Sequence, residues 1–527
     1  MEKNNYITRV LMAIMVIAFI LAAVNIAEND AKDIRQHDIN NVVPYDVLDM
    51  LQEEQEPVQH ENIPQAHEPV DLDFPEILDR GTIRLITNYN VGSYFLQGGF
   101  DRGFEYEFFA AFARKHDLNI EIIILQPGDD PVEMLNRGEG DIIASNFIKT
   151  PWRNERVSFS EPYNLISQHL IVADSTVMAR LPEDLDNMTI SVRKHSAHHE
   201  TLVELQDQGH QFEIDLIAEA MDTEALVVGV ANGRFQATVA DDHEFSTIQT
   251  YVKGVTLGPA LAEGLPVGWG VRKGAGQLQK EVDKYIYGNF KYDEESGKIW
   301  KSGFMALLLN RYFSSRSRIE EHRQDVSELM YFGVLSPYDD MIRPEAESRG
   351  VDWKLVVAVM AQESAFRPNA ISFAGAVGLM QIIPRFSEVR DEAKLMDPKT
   401  NIDEGLRYLK KHLTHYAYLD EENQLALTLA SYNAGVGHVA DARRLAMDAN
   451  KDPNDWNDVA EGLLKLTDQK YYRQARYGYC RGTETVDYVR KVLARYKTYQ
   501  AIARFADTTV RDEVEETILA MGRISEN

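Results

Sequence analysis

Apolar positions recur along the chain with three different rhythms. From Leu11 to Ala27 they form a run of about 17 largely apolar residues, preceded by Lys3 and Arg9. That length is at the lower edge of a membrane span, and the basic flank before it places the bulk of the chain outside the cytoplasm. Asn25 is ill suited to the −3 position of a cleavage site after Ala27, so residues 1–27 read as an uncleaved anchor rather than a removed signal. Residues 28–74 lose the apolar rhythm; they are acidic and Pro-punctuated and read as a disordered tether.

The second rhythm occupies residues 75–304. Short runs rich in branched side chains (Thr82–Thr87, Ile120–Leu125, Asp141–Ser145, His169–Ala173, Thr189–Val192 and Ala237–Ala240) predict strands. Helical stretches such as Tyr106–His116 separate them, which predicts an α/β domain with largely parallel sheets. After Lys301 only the third rhythm, helical spacing, is left. Residues 305–335 read as a helical linker, 336–506 as an all-α domain and 507–527 as a charged tail. The predicted fold class is therefore multidomain, α/β followed by all-α.

Composition narrows the chemistry. A chain of 527 residues needs more than one core, and its formal net charge of −28 excludes nucleic acid as a natural partner. The single cysteine, Cys480, rules out an intrachain disulfide, a cysteine-based zinc site and lipid attachment just after the apolar segment. His195, His198 and His199 cluster but have no carboxylate or cysteine partner at metal-ligand spacing, so neither a metal nor a cofactor is expected.

One carboxylate is out of place. Val356, Val359, Met360 and Glu363 fall at i, i+3, i+4 and i+7, which puts Glu363 on the apolar face of its helix. Desolvation there raises a carboxyl pKa and suits it to protonating a leaving oxygen. The plainer use of such a residue is a helix-end ion pair with Arg367 or Arg385. Downstream, Gly375 and Gly378 flank a turn ahead of Gln381, Tyr432 and Asn433 precede Gly435, and Tyr488 lies in ETVDYV. A carboxyl, amides, tyrosines and close-approach glycines form a plausible carbohydrate cleft.

Two resemblances extend this reading. GTIRLIT, GFEYEFFAAFARKHDL, the run from GEGDIIAS to SEPY and GRFQATVADD resemble family 3 periplasmic solute-binding domains. The resemblance implies two α/β lobes closing on a small ligand, an amino acid or a muropeptide. Arg153 then matches the carboxylate-binding residue, Asp241 the amine-binding acid and Ser196 the opening of an anion-holding helix. Asn88 stands where an acidic contact is common. Read alone, Arg153 and Asp241 could equally be structural, Arg153 as a surface salt bridge.

Residues 336–505 are similar to the soluble lytic transglycosylase catalytic domain, which has a goose-lysozyme-like fold. The similarity rests on ES at Glu363–Ser364, AGAVGLMQIIP, N-x3-G-x2-YL from Asn401, SYNAG and ETVDYV. It implies non-hydrolytic cleavage of the MurNAc–GlcNAc bond of peptidoglycan, leaving a 1,6-anhydro-MurNAc end. Glu363 becomes acid and then base, and Ser364 orients it by a hydrogen bond. Gln381, Tyr432 and Asn433 contact the glycan, and Tyr488 lies near the carboxyl. The expected partners are peptidoglycan strands, a small ligand of the α/β lobes and a membrane. By resemblance the site of action is the periplasmic side of the outer membrane; the apolar segment fits the inner membrane equally well. The competing reading is a ligand sensor whose helical domain binds peptidoglycan without cutting it.

Overall fold

The computed structural model describes residues 69–174, 185–194, 196–217, 221–293, 296–314 and 316–525, without the side chains of 316, 317, 328, 331 and 509–525. The apolar run Leu11–Ala27, most of the tether and His195 lie outside the described residues. Among those described, no helix is long and apolar enough to cross a membrane.

Two five-stranded sheets make two lobes. The first uses β1 (Thr82–Thr87), β2 (Asn119–Ile124), β3 (Ile142–Ile143) and β4 (Val157–Phe159). The chain then crosses into the second lobe for β5 (Asn164–Ala173), β6 (Thr189–Arg193), β7 (Glu213–Ile217), β8 (Ala237–Asp241) and β9 (Val255–Val267). It returns to the first lobe as β10 (Gly270–Arg272). The sheet orders are β2-β1-β3-β10-β4 and β9-β5-β8-β6-β7. β1 pairs in parallel with β2 and β3, and β6 with β7 and β8, while β5 and β10 run antiparallel to their neighbours.

The two crossings between lobes are bonded to each other. Ser160 N–H donates to Trp269 O at 2.9 Å, Trp269 N–H to Ser160 Oγ at 2.9 Å, and Tyr163 N–H to Val267 O at 3.0 Å. Beneath them lies the buried carboxylate of Glu105. It accepts from the Tyr163 hydroxyl, from the Trp269 indole N–H at 3.1 Å and from Asn146 N–H at 3.1 Å. Burial still pushes the Glu105 carboxyl up, the three donors opposing it.

Helices that matter for the site are α1 (Phe104–Lys115), α2 (Ala197–Asp207), α3 (Gly303–Phe313), α4 (Arg316–Phe332), α5 (Asp339–Arg349) and α6 (Trp353–Ser364). They are followed by α7 (Pro398–His415), α8 (Glu421–Ala434), α9 (Val436–Asp448), α10 (Trp456–Lys465) and α11 (Gly482–Ser525). The predicted strands and the switch to helices after residue 301 are present. A hairpin of Phe290–Asp293 and Lys298–Lys301 closes the α/β part. The three-residue strands β4 and β10 escaped the sequence pattern, as did the longer β7 and β9. The longer two are largely half-exposed, and β9 is irregular, with register shifts and a Pro near each end.

The first lobe and the helical part share an apolar core, while the second lobe packs clusters of its own. A single cluster of buried side chains runs from Phe108 and Trp269 through Tyr312 to Val356, Tyr488 and Tyr499. Helix α11 makes the polar joints. Arg495 donates to Asp101 at 3.0 Å, Thr498 Oγ1 to Ile122 O at 3.2 Å, and Gln126 Nε2 to Ala501 O at 3.2 Å. Phe366, just beyond α6, seats against Gly99, where a Cβ would lie 2.4 Å from its ring. Arg495→Met should lower the unfolding free energy in urea by about 1–2 kcal/mol, between the values of exposed and buried pairs. The charge-neutral double variant with Asp101→Asn should recover part of it.

Candidate functional site

Helix α6 is anchored at both ends to α11. At its start the Asp352 side chain caps Lys354 N–H at 3.0 Å and also accepts from the Tyr496 hydroxyl at 2.8 Å. At its end the Tyr488 hydroxyl donates to Glu363 Oε1 at 2.7 Å. The helix then stops abruptly: Ala365 and Phe366 both have left-handed φ, of 49° and 58°. Two successive non-glycine residues in that region are costly and hold the Glu363 end as a corner.

Glu363 is partly buried, and desolvation pushes its carboxyl up to about 7. The Tyr488 bond opposes that rise, and the charge of Glu484 adds to it. The plain ion-pair alternative is not what the structure shows. Arg367 Nε donates to Ser364 O at 3.0 Å, and Arg385 lies over the Phe386 ring. At neutral pH the carboxyl is poised between its two forms, as a group that first gives and then takes a proton requires.

The loop that carries Gln381 is held from α7. Asn401, fully buried, accepts from Met380 N–H at 2.7 Å and donates to Val377 O and Leu395 O at 2.8 and 2.7 Å. Gly378, with φ +81°, leaves the room Asn401 needs, since a Cβ there would sit 2.3 Å from Asn401 Nδ2. Gly405, one turn along α7, likewise clears Met380. The spacing of Asn401 and Gly405 in the N-x3-G motif thus serves the loop that carries Gln381.

The other expected residues fall as follows. Tyr432 gives its hydroxyl to Met380 O at 2.8 Å, and the charge of Glu363 helps raise its pKa. Asn433 Oδ1 accepts from Thr485 Oγ1 at 2.9 Å, joining α8 to α11. Gln381 turns its amide N–H groups onto Ala370 O and Gly378 O, at 3.1 and 2.9 Å, closing its own loop. Ser364 corrects an expectation: its Oγ donates to Met360 O at 3.3 Å, one turn back in the helix, and the bond to Glu363 comes from Tyr488 instead. Met360 O is the partner a serine reaches four residues along a helix.

In the lobes, Arg153 follows a helix start capped by Thr150. Its Nε donates to Glu200 Oε1 of α2 at 3.2 Å, its Nη1 to Ile148 O, and its guanidinium lies 4.6 Å from the Phe147 ring centre. Glu200 belongs to the second lobe, so the pair bridges the cleft. Asn146, from the first lobe, donates to Asp241 Oδ2 at 3.0 Å, and His198 Nε2 lies 3.0 Å from Asp241 Oδ1. Ser196 caps α2 through His199 N–H at 3.1 Å, and Asn88 donates to Ser145 O at 3.5 Å. Glu200 and Asn146 carried no local sequence signal; their bonds to Arg153 and Asp241 form only because one lobe closes on the other.

Comparison with known proteins places these parts. Residues 340–454 match the Transglycosylase SLT domain and residues 88–313 the bacterial extracellular solute-binding proteins, family 3. Membrane-bound lytic murein transglycosylase F of Desulfosudis oleivorans is 31% identical over 80% of this chain and 90% of its own. The chain belongs to the membrane-bound lytic murein transglycosylase F family. Membrane-bound lytic murein transglycosylase F 1 of Alkalilimnicola ehrlichii is 30% identical over 82% of this chain and 86% of its own. Among solved structures, an ancestral arginine-binding protein bound to arginine is 22% identical with a TM-score of 0.37, covering 45% of this chain and 99% of that one.

Two outcomes follow from the geometry. Gly378→Ala should lower stability by at least about 2 kcal/mol, read as a fall in Tm, because φ +81° and the Asn401 contact both oppose a Cβ. Glu363 binds its proton more tightly folded than unfolded, so its contribution is complete below the unfolded carboxyl range and is lost as pH rises through about 7. Glu363→Gln should therefore be more stable than wild type at pH 8, with the difference shrinking toward pH 4 in parallel urea titrations.

Proposed function

We propose that this protein is a peptidoglycan lytic transglycosylase in which Glu363 is the acid and then the base. The observation that carries the reading is a half-buried carboxyl poised near 7, held by Tyr488 at a helix corner and close enough to Tyr432 for its charge to act there. Protonated Glu363 donates to the glycosidic oxygen as the C1–O bond breaks and the GlcNAc-bearing fragment leaves. The sugar's own C6 oxygen attacks C1, and its proton passes to the Glu363 carboxylate, restoring the acid. No water is consumed, and a 1,6-anhydro ring closes on the MurNAc.

An intramolecular nucleophile removes the need for the second carboxylate of ordinary glycoside hydrolysis. Glu484, whose charge reaches Glu363, is exposed and paired with Arg481 at 3.4 Å. Tyr488 keeps the charged form of Glu363 accessible, while Tyr432 and Asn433 line the glycan path. The α/β lobes act as a regulatory or targeting unit for a small carboxylate-bearing ligand, an amino acid or a muropeptide, which reaches Arg153 by displacing Glu200. Leu11–Ala27 attaches the enzyme to a membrane facing the periplasm, and the relatives' name supports that attachment.

Wild type should release anhydro-muropeptides from purified sacculi, identified by mass spectrometry. Glu363→Gln should cut the rate by about 10²–10⁴-fold while still sedimenting with sacculi. Turnover by the variant at the wild-type rate would sink the catalytic assignment. Binding by wild type without product would make the helical part a sensor module.

A further inference from the structure

A second cluster of reactive groups lies in the cleft between the lobes, away from Glu363. His198 comes from the first turn of α2, Asp241 from the end of β8, and Glu244 from the helix Asp242–Ile248 that follows. One ligand atom from each lies within 4.8 Å of the others, and His198 Nε2 lies 3.0 Å from Asp241 Oδ1. His198 and Asp241 are both buried.

Two further features suit the cluster to a cation. Glu244 Oε2 is buried and has no hydrogen-bond partner. An unpaired carboxylate oxygen beside another carboxylate is a configuration that folding does not tolerate cheaply. The second feature is an outer partner: Asn146, from the opposite lobe, holds Asp241 Oδ2 at 3.0 Å and leaves Oδ1 aimed at His198. Ligating carboxylates are commonly fixed in this manner by a hydrogen bond to their other oxygen.

We propose that His198, Asp241 and Glu244 form a site for one divalent transition-metal cation at the lobe interface. An imidazole with two carboxylates is a donor set for zinc-like ions, with bonds of about 2.0–2.2 Å, and the three atoms reach such a center by contracting around it. The cation neutralises the facing carboxylates and gives Glu244 Oε2 its partner. Because Asn146 bonds a ligand from across the cleft, metal occupancy also favours lobe closure. This assignment gives Asp241 a metal where the solute-binding resemblance gives it a ligand ammonium, so the two uses compete for one carboxylate. It is independent of the catalytic reading of Glu363.

The test is calorimetric titration of chelator-stripped, full-length protein with zinc chloride. One site should appear that Glu244→Gln and His198→Gln each weaken at least tenfold, with the folded state of each variant checked by circular dichroism. Zinc binding that both folded variants retain, as tether histidines alone would give, overturns the site. So does no zinc binding at all, or glycine binding that the same variants abolish when zinc does not bind. If neither variant folds, zinc-edge absorption of the wild-type protein decides. One imidazole among oxygen ligands supports the site, and any other ligand set overturns it.

Discussion

The bond between the Tyr488 hydroxyl and Glu363 is the point on which the rest of the catalytic geometry turns. It joins the end of α6 to α11, and with the Tyr496–Asp352 bond it fixes α6 along its length. It also sets the carboxyl's chemistry, because a phenol that donates to the charged form restrains a pKa that burial alone would drive higher. Position and acidity are thus settled by one contact. The same helix carries Arg495 and Thr498 to the first lobe, so what holds the carboxyl also holds the two parts of the molecule together.

Much of the fold was legible in the sequence because rhythm is a local property. Runs such as Thr82–Thr87 declare a buried parallel strand by their own composition, and β1 forms there in register with β2. Of the strands that escaped, β7 and β9 owe their place to partners already laid down rather than to alternation of their own. Glu363 could be found on the apolar face of its helix from spacing alone, since i, i+3, i+4 and i+7 share one side. Its partner could not. Tyr488 lies 125 positions away, and only the family-like ETVDYV block marked it.

Side-chain roles were less legible than side-chain places. Ser364 follows Glu363 directly, yet neighbours along a helix point to different faces, and its hydroxyl finds Met360 O instead. Gln381 carries an amide suited to a sugar, but a left-handed φ of 49° folds its loop so that the amide closes on the backbone. The three histidines showed no metal-ligand spacing because the carboxylates nearest His198 arrive more than forty residues later. For Ser364 and Gln381 the deciding partner is a nearby backbone carbonyl, and for His198 it is brought by tertiary packing.

The seating of Phe366 against Gly99 has a practical consequence for anyone dividing the molecule. A fragment beginning near residue 336 would carry α11 with Thr498 and Phe505 stripped of their cover from β2 and Tyr89. The complementary fragment would leave Gly99 and Phe100 without Phe366. Neither half would present a native surface, and both would carry fresh apolar area into solution. Work on either part therefore calls for cuts that keep the shared core intact, or for binding and cleavage to be measured side by side on the undivided chain.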